Sequence, residues 1–259
     1  MLKPFLTADW HYLAMLNFVA DPKLLQPLVP SGTELDFHQG ETFLSVVGFL
    51  FLDTRVLGFP IPLHRNFEEV NLRFYVRRKY GDEWRRGVAF VRELVPRYAI
   101  AVVARTFYGE PYSALPMRHR IEHKEGRLLA EYQWRRGQRW ETLAMTANGQ
   151  PQDSAPASHE EFITEHYWGY TARRSGLSEY GVQHPRWKLW RAESTRFEAD
   201  IATLYGPQFV EPLSAPPASA FIAEGSHVEV LDELKSLDKC VSSRAAETAR
   251  DLTVAPNSH

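Results

Sequence analysis

The chain has one cysteine, Cys240, in 259 residues, so no disulfide can close within it, and the expected setting is a reducing compartment. Cys240 stands in a polar tail, where a free thiol is more often incidental than catalytic. Long hydrophobic runs are missing as well. The longest nearly unbroken one, Phe43 to Leu52, is about half of the ~20 residues that a spanning helix needs. The start is interrupted by Pro4 and Asp9 before an apolar run of secretory length develops, and the expectation is a soluble, cytoplasmic protein with no membrane partner. Neither sign of charge dominates: 30 Lys and Arg face 32 Asp and Glu, for a formal net charge of -2, which gives no bulk attraction to nucleic acid. The motifs G-x-S-x-G, G-x-x-x-x-G-K-[ST] and G-x-G-x-x-G do not occur, so serine-nucleophile and nucleotide chemistry are unsupported and no cofactor is expected.

What the chain does have is aromatic residues, at 13%, and 17 prolines, a composition that favours sheet with many turns over a helical bundle. Its length fits one large domain. Trp10 to Phe18 reads as a first strand, after which Asp21 caps a short helix opened by Pro22. Thr42 to Leu52 is apolar on both faces and reads as a central, buried strand; Gly58 to His64 is a proline-bearing loop. Arg77 to Glu83 reads as a charged hairpin connection into a strand from Trp84 to Val95, stopped by Pro96. Arg97 to Arg105 is ambiguous by period and is read as a helix. Met117 to His123 and Arg127 to Trp134 form a hairpin, and Trp140 to Thr146 a further strand. Asn148 to Ser158 has the composition of a linker, and Glu160 to Arg174 is read as helical behind a Ser158 cap. His184-Pro185-Arg186-Trp187 begins a second sheet segment, Phe221 to Leu231 is the last strand, and a poorly ordered tail is expected over 240–259.

The stretch Phe67 to Val76 is the most informative. At period two it places Glu68, Val70, Leu72, Phe74 and Val76 on one face and Glu69, Asn71, Arg73 and Tyr75 on the other. A carboxylate and a guanidinium on one strand face, with hydrogen-bonding groups beside them, suit a pocket for a small polar ligand; a solvated face has the same pattern.

Other candidates are weaker. His119-Arg120-Ile121-Glu122-His123 fits the H-x-x-E-H zinc motif, but that chemistry needs a helix, and on a strand the two imidazoles stand roughly 13 Å apart, so no metal is expected. Arginines interleaved with Trp84, Trp134 and Trp140 fall at predicted hairpin ends, where charge serves solubility and edge protection, and no nucleic-acid partner is expected. His166 and His184 are lone histidines and read as structural or exposed.

The order Asp21-Pro22, Leu28-Val29-Pro30, Leu35-Asp36, Phe67-x-Glu69-Val70-Asn71-x-Arg73-x-Tyr75-Val76, Ala104-Arg105, Pro111-Tyr112 and Met117, followed by Phe162-x-Thr164-Glu165, Tyr167 and His184-Pro185-x-Trp187, resembles the YqjF-like bacterial proteins, domain of unknown function 2071. That family is similar in turn to acetoacetate decarboxylase. The resemblance implies an α+β fold, mainly antiparallel β, with a cone- or barrel-like sheet enclosing a pocket and helices outside, in a single domain over 1–239. The decarboxylase carries a proline followed by two adjacent lysines, one of which forms a Schiff base. The matching segment here, Gly109-Glu110-Pro111-Tyr112-Ser113, has none, so no Schiff-base decarboxylation is expected. What the resemblance carries over is a pocket glutamate, matched to Glu69 as acid or base, with Arg73 and Arg105 to hold an anion and Asn71, Tyr75 and Tyr112 to orient a ligand. The alternative is a buried structural pair of Glu69 with an arginine. Two functions follow: binding or sensing of a small carboxylate- or carbonyl-containing molecule, or a lyase- or hydrolase-type enzyme on a small keto or carboxylic acid. A homo-oligomer is compatible with both.

Overall fold

The computed structural model describes residues 4–60, 64–96, 111–173 and 176–231. Seven strands close into a ring. β1 (Leu6–Ala20) pairs with β3 (Thr42–Val56), β3 with β5 (Phe67–Tyr80), and β5 with β6 (Glu83–Val95). β6 pairs in parallel with β11 (Trp168–Arg173), β11 with β12 (Gly176–Gln183), β12 with β14 (Ser219–Leu231), and β14 returns to β1. The fold is therefore α+β, as expected, with a mixed sheet whose pairings are mostly antiparallel.

β14 also pairs with β13 (Leu189–Glu198), which leads into a second layer in the order β13, β10 (Arg139–Asn148), β9 (Arg127–Arg136), β8 (Met117–Lys124). This layer covers the outer face of the ring. Tyr132, Trp134, Leu143 and Met145 pack there with Leu16, Val46, Leu72 and Phe74 in one core, while Met15, Val47, Phe49, Phe67, Tyr75 and Val88 belong to a second core inside the ring. The alternation of β5 explains the division, since its even-numbered apolar residues face the second layer and its odd-numbered residues face inward. Short strands β2 (Glu34–Leu35), β4 (Phe59–Pro60) and β7 (Tyr112–Ala114) pair with β5, β3 and β6. Helices are few and short: α1 (Pro22–Leu25), α2 (His159–Thr164), α3 (Ile201–Leu204) and α4 (Val210–Ser214). Asp21 caps α1 and Ser158 caps α2 through their side chains, as expected. Among the described residues no helix is long and apolar enough to cross a membrane.

Two expectations are corrected. The connection between β5 and β6 is not Arg77 to Glu83 but the two residues Gly81 and Asp82. Arg77, Arg78 and Lys79 stay on the strand, and Arg77 lies over the ring of Trp84 across the pair. The helix read over Glu160 to Arg174 ends at Thr164, because Trp168, Tyr170 and Thr171 are strand formers and Gly87 on β6 lets Trp168 of β11 approach. β12 was not anticipated at all. The helix read over Arg97 to Arg105 and the tail lie outside the described residues. Asn148 to Ser158 connects β10 to α2, and Gln152 in it exchanges both backbone hydrogen bonds with Leu189.

Candidate functional site

The inner face of β5 runs Phe67, Glu69, Asn71, Arg73, Tyr75. On β3, Phe51, Phe49, Val47 and Ser45 stand opposite the first four of these, and β1 sets Trp10 beside Phe51 and Met15 beside Val47. On the other side β6 places Glu93 opposite Asn71, Phe90 opposite Arg73 and Val88 opposite Tyr75. Together with residues of β11, β12 and β14 these strands surround a cavity of about 200 Å³, lined mainly by aromatic and aliphatic side chains, with Glu69, Asn71, Arg73, Glu93, Tyr112 and His166 as its chief polar groups.

Glu69 is buried at 3% exposure. Asn71 Nδ2 donates to its Oε1 at 2.9 Å and the Tyr112 hydroxyl donates to its Oε2 at 3.2 Å. Burial pushes its carboxyl up to about 7, against the opposing pull of these two hydrogen bonds and of the Arg73 charge. Arg73 forms no ion pair within hydrogen-bonding reach of a carboxylate among the described residues; its Nη2 lies 4.0 Å from Met15 Sδ and its guanidinium 5.7 Å from the Tyr75 ring centre. The Arg73 charge also acts on His166 and His184, so it stands among Glu69 and both imidazoles.

His166, between α2 and β11, is fully enclosed. Its Nε2 lies 3.1 Å from Asp36 Oδ2, which also accepts from Arg86 Nε at 2.6 Å. Burial would raise the Asp36 carboxyl, but the hydrogen bonds from His166 and Arg86 outweigh it and hold the group below its ordinary value. Burial takes His166 down to about 4, with Arg86 and Arg73 adding to the effect and Asp36 opposing it. Asp36 is thus an anion that can only accept, so Nε2 carries the proton and Nδ1 presents a lone pair.

Five residues that line the cavity each bury a side-chain atom with no hydrogen-bond partner among the described residues: Trp10 Nε1, Thr54 Oγ1, Asn71 Oδ1, Arg73 Nε and His166 Nδ1. Folded proteins seldom leave such groups unmet, so a cluster of them around one cavity is unusual.

Of the residues named from sequence, Glu69, Asn71, Arg73 and Tyr112 converge on this cavity. Tyr75 shares their strand face but is not on the wall: its ring underlies His166 at 4.7 Å, and its hydroxyl is bonded to Ser45 Oγ at 2.6 Å, which in turn donates to Asn17 Oδ1 at 2.5 Å. Arg105 lies outside the described residues. Glu93, Asp36 and His166 were missed. Glu93 was masked by a β-bulge after Leu72, which reverses the parity of β6 so that Val88 and Phe90 face inward, and then Glu93. His166 reads as an isolated histidine in sequence, since Asp36 is 130 positions away. His119 and His123 lie on strand β8; His119 Nδ1 meets Glu68 Oε1 at 2.6 Å, and His123 packs 5.5 Å from the Tyr12 ring. The arginines near Trp84 and Trp140 lie over those indoles, with Arg77 4.3 Å and Arg118 4.0 Å from the ring centres.

Residues 7–227 match the DUF2071 family, described as an uncharacterized conserved protein. The chain belongs to this family. A DUF2071 relative, the uncharacterized protein YqjF of Bacillus subtilis (strain 168), is 31% identical over 192 residues, 71% of this chain and 75% of its own. Solved structures extend the likeness at the level of fold. An acetoacetate decarboxylase-like enzyme from Sphingomonas wittichii RW1 superposes with a TM-score of 0.60 at 14% identity, covering 88% of this chain and 91% of its own. Acetoacetate decarboxylase from Legionella pneumophila gives 0.56 at 15%, covering 86% and 84%. The enduracididine biosynthesis enzyme MppR complexed with pyruvate gives 0.56 at 13%, covering 90% of each chain. This DUF2071 protein therefore has the acetoacetate decarboxylase fold. Among the described residues that line its cavity there is no lysine.

Proposed function

We propose that the ring cavity binds a small carboxylic acid carrying a carbonyl group, and that it does so without Schiff-base chemistry. The observation that carries this reading is that five residues lining the cavity each bury a partnerless polar atom, with Arg73 among them as a cation. A guanidinium holds a carboxylate through charge-assisted hydrogen bonds. Asn71 and Glu69 beside it suit a carbonyl or hydroxyl, and Phe49, Phe51, Phe67 and Trp10 give apolar walls for a short tail. A cavity of about 200 Å³ suits a small acid. MppR, of the same fold, is described in complex with pyruvate, a molecule of this class. With no lysine among the described residues of the wall, an imine to such a ligand has no amine to form on there.

A second reading, acid–base catalysis by Glu69, is favoured by its carboxyl at about 7, poised to give or take a proton near neutrality. Thermal unfolding in the presence of pyruvate, 2-oxobutyrate and 2-oxoisovalerate tests the binding. At least one raises the melting temperature of the wild type, and Arg73→Met removes that rise. No rise with any anionic ligand overturns the proposal.

A further inference from the structure

The binding reading leaves one cavity group without a task. His166, a residue that lines the cavity, is held from behind by Asp36, which is held in turn by Arg86, and the free nitrogen of its ring is buried with no partner among the described residues. A buried carboxylate that fixes the tautomer and ring plane of a histidine, leaving its other nitrogen as a lone pair facing a ligand space, is the arrangement that makes imidazole a directed proton acceptor. A packing role does not require the open nitrogen: burying it unmet is unfavourable. Nor does the position of Asp36 follow from its own short strand alone, since its backbone N–H is tied to the carbonyl of Tyr75 at 3.0 Å. That tie fixes Asp36 behind the same strand that carries Glu69 and Arg73 into the cavity.

We propose that His166 is a catalytic base that removes a proton from the carbon next to the carbonyl of a bound 2-oxo acid, giving the protein an enolising activity; this rests on the binding reading above. In the step, the C–H bond breaks and an N–H bond forms at His166 Nδ1. The electron pair moves into the C–C bond as the carbonyl π pair moves onto oxygen, where the Arg73 charge stabilises it. The reverse step returns a proton to carbon from the imidazolium, or from water that has exchanged with it. No further reactant is needed, and in D2O the net change is deuterium on that carbon. The charged and titratable groups that face His166 are Asp36 from the segment after β2, Arg86 from β6, and Arg73 and Tyr75 from β5. A bound carboxylate offsets Arg73, one of the two positive charges that disfavour protonation of the ring, so the ligand itself makes His166 a stronger base. Asp36 is the positioning residue.

The test is proton NMR of pyruvate, 2-oxobutyrate and 2-oxoisovalerate in D2O with the full chain, beside thermal unfolding with the same acids. Wild type is expected to exchange the protons next to the carbonyl on the order of 100-fold faster than a protein-free blank. His166→Gln falls to the blank rate while keeping the ligand-induced rise in melting temperature. Asp36→Asn slows exchange and changes its pH profile. Exchange that persists in His166→Gln overturns the role of His166. A ligand-induced rise with no exchange in wild type overturns the activity and leaves the binding reading standing. Neither a rise nor exchange with any of the three overturns both.

Discussion

The hydroxyl of Tyr112 donates to Oε2 of Glu69 at 3.2 Å, across 43 positions of chain, and so ties the short strand β7 to the polar face of β5. Tyr112 reaches Glu69 because β7 runs parallel to the end of β6 and sets Tyr112 beside Glu93. This hydrogen bond favours the ionised carboxylate, against burial that favours the acid. Tyr112→Phe is therefore expected to move the Glu69 carboxyl above about 7 and to destabilise the protein by about 1 kcal/mol at pH 8, where the carboxylate needs the donor. Carbon-13 NMR titration of the glutamate carboxyls reads the first effect and urea unfolding the second. An unmoved Glu69 titration would show that Tyr112 does not support it.

Glu69 and His166 pull the pH dependence of stability in opposite directions. The folded-state value of Glu69 is raised from 4.5 to about 7, so the folded state holds the extra proton between those values, and stability falls as pH rises from 4.5 to 7. That of His166 is depressed from 6.5 to about 4, so the unfolded state holds the extra proton and stability falls as pH drops from 6.5 to 4. Each effect is worth on the order of 3 kcal/mol, and in the wild type they largely cancel. Glu69→Gln should unmask stability that rises with pH over 4 to 6.5, and His166→Asn stability that falls over 4.5 to 7. Urea midpoints at half-unit intervals of pH check both; parallel profiles for the two variants would contradict the assignment.

On the binding proposal, Arg73 serves a ligand at the expense of the free protein. Its Nε is buried with no partner among the described residues, and its charge is offset at a distance by Glu69. Met in its place keeps apolar contact with Met15 and removes the desolvation penalty of the cation. At pH 5, with Glu69 protonated, Arg73→Met is expected to be more stable than wild type by about 1 kcal/mol. At pH 8 the gain shrinks, since the ionised Glu69 has lost its nearby cation. Urea unfolding at the two pH values measures this. A loss of stability at pH 5 would mean that Arg73 is a structural ion-pair member, as the alternative sequence reading had it.

How far the site was legible follows from the range of the interactions that make it. The inward face Glu69, Asn71, Arg73 was readable because alternation on β5 is local and unbroken, and its apolar reverse face does pack against the second layer. Glu93 was unreadable because a bulge shifts parity by one residue, and nothing in the composition of β6 marks it. Asp36 and His166 meet only through tertiary structure, so each alone looks like an ordinary loop residue. Tyr75 has the right face and the wrong depth: strand periodicity reports direction but not which neighbour, here Ser45, takes the hydroxyl first. Ring closure was expected only through the family resemblance, and the residue pattern alone did not give it. The parallel β6–β11 pair links strands far apart in the chain, and β11 was read as helix.

Ring closure at β1 and β14 depends on one glycine. Gly225 faces His11 in the register, has φ of +84°, and a Cβ on it would stand 1.9 Å from the Trp10 carbonyl oxygen and 2.8 Å from the His11 Cα. Both obstacles are backbone atoms in a paired strand, so no side chain can swing away to make room. Gly126, in the turn between β8 and β9, has φ of +78° with nothing within 4 Å of such a Cβ. Gly126→Ala therefore feels conformational strain alone, roughly 1–2 kcal/mol. Gly225→Ala adds a clash that must part β14 from β1, and should destabilise by more than about 4 kcal/mol, losing the cooperative melting transition that Gly126→Ala retains. Circular dichroism melts of the two variants decide it. Equal losses would mean that the strands yield at Trp10 and that the ring tolerates a wider gap there.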